Sequence, residues 1–305
     1  MNQILLNEYN DFRKSGVGFY EQKRGLIHVS GKEAVQFLNG LITNDVAKLE
    51  ENAQMAAAFP NANGRLLAVV RVLRKEDQFL FETAAATREK VFQNLFRFTF
   101  AGDFFVEDWS DDFRYFEVQS EQFKVNSQET IVFQSNVGFD CFVPNEAAES
   151  FLSQLKDENA IEISDDLYEV LRIENGIPKY GVDADETTIV PELGIEGLIN
   201  YQKGCYIGQE IIARIHFRGH IAKQLTGLIL SESAAAADGS NAELRNAELK
   251  SPDGKNAGRV TSVTFSPKFD KFIALAFVRY DYLVEGTELK VNEATATVKH
   301  LPFVK

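Results

Sequence analysis

Residues 203–210 read Lys-Gly-Cys-Tyr-Ile-Gly-Gln-Glu, and this stretch is the most informative part of the chain for both its fold and its site. It places Cys205 between a lysine and two glycines. The isoleucines of residues 209–215 follow at helical spacing, so the pattern predicts a helix that begins just after the cysteine. A neighbouring cation and a helix N-terminus both favour a thiolate. The stretch therefore predicts an exposed, reactive thiol at Cys205 assisted by Lys203; the alternative is a buried structural cysteine.

Length and composition are those of a globular protein with more than one domain. A chain of 305 residues is too long for one typical core, so two or three domains are expected. No stretch approaches the roughly 18 apolar residues of a membrane span. Two cysteines and an N-terminus without an apolar signal core favour a reducing compartment. We expect a cytoplasmic protein without a membrane partner.

The net charge of −13 argues against a broad electrostatic grip on nucleic acid. We therefore expect no direct nucleic-acid binding. One segment departs from this balance, because residues 214–223 carry Arg214 and other basic side chains with no acid among them. This segment is either a solvated face or a place where the anionic part of a ligand binds.

Strands and helices alternate in short runs over the first 220 residues, which indicates a mixed α and β body. Ser30 and Glu33 have the spacing of a capping box before an apolar helical run. The predicted helices cover residues 32–41, 87–98, 147–156 and 163–175. The predicted strands cover residues 25–29, 66–74, 78–83, 104–108, 114–118, 130–134 and 138–143.

The pattern changes after about residue 224, where short strands and turns replace the mixed pattern. The strand candidates are residues 225–230, 258–265, 272–278, 287–291 and 294–298. Between the first two, the alanine-rich residues 233–247 are interpreted as a loop. Such a series predicts a small antiparallel β-barrel. The domain boundary falls near His220, which gives a first region over residues 1–220 and a barrel domain over 221–305.

The motifs resemble those of the YgfZ family, folate-binding relatives of the glycine-cleavage T-protein (aminomethyltransferase). Residues 203–210 match the family signature Lys-Gly-Cys-Tyr-x-Gly-Gln-Glu in full. The resemblance spans about residues 25–300 and is weak over 100–160. Three further segments are similar to family elements: NGLITNDV at 39–46, LRIENGIP at 171–178 and GRVTS at 258–262.

The resemblance implies an α+β, T-protein-like fold: two intertwined α+β lobes around a central channel, followed by a C-terminal antiparallel β-barrel. It implies that tetrahydrofolate or a related folate occupies the channel. It also implies that the protein supports the assembly or repair of iron–sulfur enzymes, including some that modify tRNA, through the signature cysteine. Any effect on tRNA would then pass through those enzymes.

The resemblance also implies site residues. Cys205 and Lys203 would carry the chemistry. A carboxylate such as Glu174 can pair with the N–H edge of a pterin, and Tyr168 can stack on its ring, although a surface ion pair and plain packing are the alternatives. Arg24 stands where some relatives carry an aromatic residue. The implied folate contacts are Tyr168, Glu174, Arg172, Arg24, Asn44 and Arg214.

One departure from the T-protein pattern bears on the chemistry. Where the T-protein carries a pair of aspartates after a glycine turn, this chain has Ala68 and Val69. Apolar side chains cannot accept a proton or stabilise a developing positive charge. The sequence therefore predicts that the chain is not a classical aminomethyltransferase; a tetrahydrofolate-dependent one-carbon transferase of altered specificity is the alternative.

The cysteine count limits what the chain can hold. An iron–sulfur centre normally needs about four ligands. Cys141 lies in an apolar strand pattern, where an inert buried thiol is expected. We therefore expect no resident metal and no stable cluster in this chain alone. The expected partners are a reduced folate and iron–sulfur enzymes or assembly proteins.

Overall fold

The computed structural model describes residues 3–120, 129–135, 137–231 and 242–304, which form a mixed α+β protein. The α-helices are α1 (Gln3–Ser15), α2 (Ala34–Leu41), α3 (Arg88–Phe96), α4 (Ala148–Asp157), α5 (Asp165–Glu174) and α6 (Gln209–Arg218). The strands are β1 (Gly18–Gln22), β2 (Arg24–Ser30), β3 (Gln54–Pro60), β4 (Leu66–Lys75), β5 (Gln78–Ala84), β6 (Phe105–Asp108), β7 (Phe113–Gln119), β8 (Ile131–Ser135), β9 (Gly138–Pro144), β10 (Ile161–Glu162), β11 (Lys223–Leu230), β12 (Glu248–Lys250), β13 (Asn256–Ser266), β14 (Lys271–Arg279), β15 (Glu288–Val291) and β16 (Ala294–Lys299).

The chain divides into two compact units, each assembled from separate segments. We name the first the sheet unit; it consists of Asn10–Ser164 and Glu196–Ile211. We name the second the barrel unit; it consists of Met1–Tyr9, Asp165–Ile195 and Ile212–Lys305. Cys205 belongs to the sheet unit, and Arg172 and Glu174 belong to the barrel unit.

The sheet unit contains two five-stranded sheets, with strand orders β10-β1-β7-β9-β8 and β3-β4-β5-β2-β6. Strands β1 and β2 follow each other along the chain but lie in different sheets. The chain thus builds the whole second sheet before it returns to the first, and the two sheets are intertwined in sequence. The predicted α+β class is confirmed, whereas the central channel stays a prediction.

The core of the second sheet explains why α2 ends where it does. Leu38 and Leu41 of α2 and Leu95 of α3 are buried against Val70 and Phe81 of the sheet. Burying each such side chain stabilises the fold by roughly 1.5–3 kcal/mol before the entropic cost of ordering it. Packing therefore fixes the C-terminal end of α2, and the polar residues that follow it are held in a defined position.

The barrel unit contains the predicted barrel. Six strands close it in the order β11-β14-β13-β12-β15-β16. Inward-facing residues such as Val260, Ala276 and Val298 fill its interior. On another face of the same strands, Leu225 and Phe277 pack with Ile173 of α5. The alternation of side chains along each strand thus gives the barrel both an interior and a face covered by α5.

Most predicted elements are present, with ends that differ by a few residues. The elements that the pattern missed are α1, β1, β3, β10 and β12. Strand β12 has 3 residues, too few for a periodic signal. Strand β3 reads QMAAAFP, whose alanines favour strands weakly. These elements form because neighbouring strands and core residues select them, which a local pattern does not record.

The predicted capping box before α2 is wrong. Ser30 is the last residue of β2, and Glu33 at the N-cap makes no side-chain capping bond. The Glu33 carboxylate instead accepts from the backbone amide of Asp103 at 2.7 Å. The acid therefore joins α2 to a distant loop rather than to its own first turn.

The predicted alanine-rich loop over residues 233–247 lies mostly outside the described residues. Within them, Ala242–Leu244 form a short 3₁₀ turn. Among the described helices, none combines the length and the apolar composition needed to cross a membrane.

Candidate functional site

Cys205 lies on the loop before α6, which we name the thiol loop (residues 197–208). Cys205 is exposed, whereas Cys141 is fully buried on β9. Burial raises the pKa of the Cys141 thiol far above its usual value, so this thiol stays protonated and unreactive. Of the two cysteines in the sequence, Cys205 is the one open to a reagent or partner.

A buried threonine just after α2 holds the first part of the thiol loop. The hydroxyl of Thr43 donates to the carbonyl of Leu198 (2.7 Å) and accepts from the amide of Ala58 (2.8 Å). The amide of Asn200 donates to the Thr43 carbonyl at 3.0 Å. Because Thr43 is fully buried, each of these bonds would be costly to leave unmade. They fix the loop to the end of α2 and to β3.

Asn44, a predicted folate contact, is a second anchor of the thiol loop. Its side-chain amide donates to the carbonyls of Gly197 and Ala56, both at 2.8 Å. Its side-chain oxygen accepts from the amide of Asp45 at 2.9 Å. Both polar ends of the side chain are thus bonded to main chain, and the geometry favours a structural role over ligand binding.

Lys203 is anchored to the same segment. Its ammonium group donates to the carbonyls of Ile42 (2.8 Å) and Asn44 (2.5 Å) and lies 5.2 Å from the centre of the Tyr206 ring. A cation at the C-terminal end of a helix is favoured by the helix dipole, and here it caps α2. Burial lowers the pKa of Lys203 to about 8, although Asp45 partly opposes the shift. The predicted assistance of Lys203 to the thiolate stays a prediction.

Gly208 closes the thiol loop against a turn of the sheet unit. It has a φ of 78°, a conformation that favours glycine. A Cβ atom at this position would overlap the carbonyl oxygen of Asn61 and lie 3.1 Å from the backbone nitrogen of Gly64. At Gly204, by contrast, a Cβ atom would meet nothing within 4 Å. A larger residue would therefore clash at position 208 but not at position 204.

The position of Cys205 relative to α6 corrects one expectation. Helix α6 begins at Gln209, so residues 206–208 separate the cysteine from its first turn. The influence of a helix dipole falls off within that turn. The main determinants of the site are therefore the exposure of Cys205 and the anchored loop, rather than a helix N-terminus directly at the thiol.

Ala68 and Val69 lie side by side on β4 and point to opposite faces of the sheet. Ala68 is fully buried in the core of the second sheet, and Val69 is partly buried. Thr83 donates to the carbonyl of Val69 at 3.1 Å. Neither side chain can accept a proton, and the absence of a counterpart to the aspartate pair of the T-protein stays a prediction.

Arg24, another predicted folate contact, lies in a polar cluster of the sheet unit. The Nε atoms of Arg24 and Arg71 donate to the two oxygens of Glu82, at 2.5 and 2.7 Å. Glu82 is almost completely buried. Although burial opposes ionisation, the two guanidinium groups hold the pKa of Glu82 below its usual value. Arg24 thus forms an ion pair with a carboxylate of the protein itself, that of Glu82.

The same cluster reaches the first sheet through Asp140 of β9. Arg71 pairs with the Asp140 carboxylate and donates to the hydroxyl of Tyr115 at 3.1 Å. Burial raises the pKa of Asp140 despite the nearby cation. Buried titratable groups with shifted pKa values concentrate at functional sites, so this cluster is a candidate site. Sequence reasoning missed it, although Arg71, Glu82 and Asp140 each interrupt an otherwise apolar strand.

Glu174, the predicted pterin acceptor, lies in the barrel unit and is fully buried. Its carboxylate accepts from the Tyr9 hydroxyl at 3.2 Å and from the Ser266 hydroxyl at 2.5 Å. Its backbone carbonyl accepts from the amide of Phe303 at 3.1 Å. These bonds connect α1, the end of α5 and the barrel, so the geometry favours a structural role for this carboxylate.

Arg172 is likewise bonded within the barrel unit. Its guanidinium donates to the Asp183 carboxylate (3.0 Å), to the Ser262 hydroxyl (2.8 Å) and to the Glu169 carboxylate (2.7 Å). Asp183 also accepts from the hydroxyls of Ser262 and Thr261. Arg172 and Asp183 are both almost completely buried. This network fastens α5 to β13 and leaves Arg172 little capacity for a ligand.

The last two predicted folate residues are less enclosed. Tyr168 is half-buried on α5, and Arg214 is exposed on α6. Among the described residues, Arg214 has no ion-pair partner within 4 Å. Within the sheet unit, the structure brings Cys205, Lys203 and Asn44 together. No group of three or more metal-ligating side chains occurs among the described residues.

Two family models match this chain. The model of the GCVT N-terminal domain matches residues 1–122, and that of the glycine cleavage T-protein C-terminal barrel domain matches residues 223–305. Residues 1–122 are therefore similar to the N-terminal domain of the T-protein, and residues 223–305 to its C-terminal barrel domain.

A solved structure supports this class. The aminomethyltransferase T of the glycine cleavage system from Bartonella henselae superposes with a TM-score of 0.87 over 98% of this chain and 89% of its own. The sequences are 22% identical, so the likeness concerns the fold.

Sequence relatives carry two kinds of name. An aminomethyltransferase of Thermoanaerobacter pseudethanolicus is 24% identical over 99% of this chain and 89% of its own length. An aminomethyltransferase of Bdellovibrio bacteriovorus is 27% identical over 98% and 91%. The mitochondrial iron-sulfur cluster assembly factor IBA57 homolog of Mycosarcoma maydis is 27% identical over 67% of this chain and 55% of its own length.

Proposed function

We propose that this chain is a YgfZ-like auxiliary factor of the cytoplasm that binds a reduced folate and supports the assembly or repair of iron–sulfur enzymes. The observation that carries the proposal is the exposed Cys205 on a loop anchored by Thr43, Asn44 and Lys203. Anchoring limits the conformations of the loop, which lowers the entropic cost of presenting the thiol to a partner. The relative named as an iron-sulfur cluster assembly factor supports the same reading.

In this proposal the cluster is cargo rather than a resident group. Cys205 can give one thiolate, and an iron–sulfur centre needs about four ligands. Cys141 is buried and cannot join it without unfolding β9. The remaining ligands therefore come from a client enzyme, an assembly protein or small thiols. Iron–sulfur enzymes that modify tRNA are among the proposed clients.

The residues of the sheet unit fit a reduced folate better at the polar cluster than at the predicted carboxylate. A pterin ring presents neighbouring N–H donors that one carboxylate can accept. Asp140 is a buried carboxylate that accepts from Arg71 through one oxygen, whereas both oxygens of Glu174 are bonded, to Tyr9 and Ser266. When bound, a reduced folate supplies ring nitrogens that can carry a one-carbon unit.

Several predicted contacts would then change role. Arg24 and Arg71 would orient Asp140 and Glu82 rather than bind the ring directly. Tyr168 and the exposed Arg214 remain proposed contacts, Arg214 for the anionic tail of the folate. Folate binding can be tested by titrating tetrahydrofolate into the wild-type, Asp140→Asn and Glu174→Gln proteins. We expect weaker binding for Asp140→Asn and unchanged binding for folded Glu174→Gln; the reverse result would restore Glu174 as the acceptor.

A one-carbon transferase of altered specificity is the second candidate, because relatives named aminomethyltransferase match nearly the whole chain. Such an activity would need another acid to do the work of the T-protein aspartates, whose positions are held here by Ala68 and Val69. Incubation with tetrahydrofolate, small amines such as sarcosine and an added two-electron acceptor, which oxidises the N-methyl group to the methylene level, would reveal it as methylene-tetrahydrofolate. No product across the amines would exclude this candidate.

The main proposal is tested in a strain that lacks this protein. The wild-type chain and Cys141→Ala should restore the activity of iron–sulfur enzymes, and Cys205→Ser should not. The buried cysteine is the matched control, because both variants remove one thiol. Full rescue by Cys205→Ser would refute a role for the exposed thiol.

A further inference from the structure

A concavity on the barrel unit is lined by positively charged side chains. Its volume is about 330 Å³, and three cations line it: Lys223, Arg259 and Arg279. Asn256 and Phe277 also line it. The chain as a whole has a net charge of −13, so a hollow lined by three cations departs from its overall acidic balance.

The barrel register places these cations on neighbouring strands. Lys223 of β11 is directly opposite Arg279 of β14, and Arg259 of β13 is directly opposite Phe277 of β14. Arg279 and Phe277 are two residues apart on β14, so their side chains share a face. Like charges directly opposite each other destabilise a sheet. The pairing of Lys223 with Arg279 therefore does not by itself stabilise the barrel.

Within the described part of the chain, none of the three cations forms an ion pair within 4 Å. Arg279 donates from Nε to the side-chain oxygen of Asn256 at 2.9 Å. The Lys223 ammonium lies 4.6 Å from the centre of the Phe277 ring. These contacts orient the cations without neutralising them.

Asp185 and Glu248 carry carboxylates near the concavity, and Glu248 is directly opposite Arg259 in the ladder of β12 and β13. Asp185 accepts from the amide and hydroxyl of Thr187, at 2.8 and 2.6 Å. These bonds lower the pKa of Asp185, and the fields of Arg259 and Lys223 add to the effect. Glu248 accepts from the side-chain amide of Asn256. The three cations outnumber these two carboxylates, so the net charge around the hollow is positive.

We propose that this concavity is a binding site for a small oxyanion with two negative charges, a phosphate group or a dicarboxylate. Arginine is suited to such ligands because its planar guanidinium donates two parallel hydrogen bonds to neighbouring oxygens. Arg259 and Arg279 would each contact the oxyanion, and Lys223 would supply the third positive charge. Lys223 and Arg279 would then be stabilised by the ligand that lies between them.

The experiment measures binding of inorganic phosphate and of succinate to the full chain by calorimetry, at constant ionic strength set with sodium chloride. The test variants are Arg259→Gln and Arg279→Gln. The chain offers a matched control, because Lys250 and Lys290 are also directly opposite each other on the barrel, are exposed, and do not line the concavity. The double variant Lys250→Gln/Lys290→Gln therefore removes a like-charge pair elsewhere.

We expect one equivalent of phosphate or succinate to bind saturably to the wild type and the control. Each test variant should weaken this binding by about tenfold or more, the effect of removing a hydrogen bond to a charged group. The stronger of the two anions identifies the ligand class. Absence of saturable binding by both anions, or equal weakening in the Lys250 and Lys290 control, would overturn the proposal.

Thermal unfolding without added anion gives a second readout. Arg279→Gln removes the like-charge pairing with Lys223, so it should leave the midpoint unchanged or raise it slightly. Phosphate should raise the midpoint of the wild type and not that of Arg279→Gln. A large fall of the midpoint in Arg279→Gln without anion would instead show that Arg279 is needed for folding, and would count against a ligand site.

Discussion

The thiol loop of the sheet unit and the α5 network of the barrel unit use polar residues in opposite ways. The side chains that anchor the thiol loop, those of Thr43, Asn44 and Lys203, bond to main-chain carbonyls and amides. Cys205 remains exposed. The α5 network buries Arg172 and Glu174 and bonds them within the protein. Both regions belong to recognisable motifs in the sequence, yet only the first presents a reactive group to solvent.

The difference teaches how to interpret a motif. A charged residue in a motif is a candidate ligand contact only if its polar atoms are not already bonded, because a buried polar group without a partner is costly. Four predictions test this distinction, from the largest expected effect on the free energy of unfolding to the smallest.

The largest effect should come from Asp183→Ala. This change removes the fully buried acidic partner of Arg172, which is also the acceptor for the hydroxyls of Thr261 and Ser262. Breaking a buried ion pair in this way costs about 3–5 kcal/mol. Denaturant unfolding of the full chain measures it. The control is Lys179→Ala, which removes the more exposed ion pair with Glu169 and should cost less than about 1 kcal/mol. Similar losses in the two variants would contradict the structural role of the network.

The next effect should come from Gly208→Ala in the thiol loop. A Cβ atom there overlaps the Asn61 carbonyl, and the positive φ strains any other residue. We expect a loss of about 1–3 kcal/mol and a change in the alkylation rate of Cys205. The matched control is Gly204→Ala, where a Cβ atom meets no neighbour. A neutral Gly208→Ala would show that the loop is not anchored as described.

Sequence patterns predicted the barrel, most strands and the exposure of Cys205, because alternation, turns and flanking glycines are local signals. The family resemblance implies that Glu174, Arg172 and Asn44 contact a ligand, and these contacts stay predictions, because a sequence does not show which polar atoms the fold has already bonded. The cluster of Arg71, Glu82 and Asp140 escaped for a related reason: its members come from three strands that meet in space. Long-range pairing was the missing information.

The pH dependence of stability tests the anchor at Lys203. The folded pKa of Lys203 is about 8, below the value near 10.4 of an unfolded lysine. Between these values the folded chain has lost the proton and the unfolded chain keeps it. The free energy of unfolding should therefore rise with pH above about 8, and a penalty for the buried ammonium should persist below that pH.

The comparison with Lys203→Met isolates this contribution. The difference in unfolding free energy between wild type and variant should grow in favour of the wild type from pH 7 towards the usual tyrosine pKa near 10. Above about pH 10, the titration of Tyr206 also changes the free energy of unfolding, because burial raises the pKa of Tyr206 in the folded chain to about 12. A difference that does not change with pH would show that folding does not lower the pKa of the Lys203 ammonium.

The smallest effect on stability should come from the residue with the largest proposed effect on function. Cys205 is exposed, and no described contact depends on its sulfur, so Cys205→Ser should change the free energy of unfolding by less than about 0.5 kcal/mol. Cys141→Ala opens a small space in a packed strand and should cost about 1 kcal/mol or more. Alkylation of the native protein should modify Cys205 alone. If Cys205→Ser were the more damaging change, the thiol would be part of the core that holds the loop, and the contrast between an anchored loop and a free reactive group would be lost.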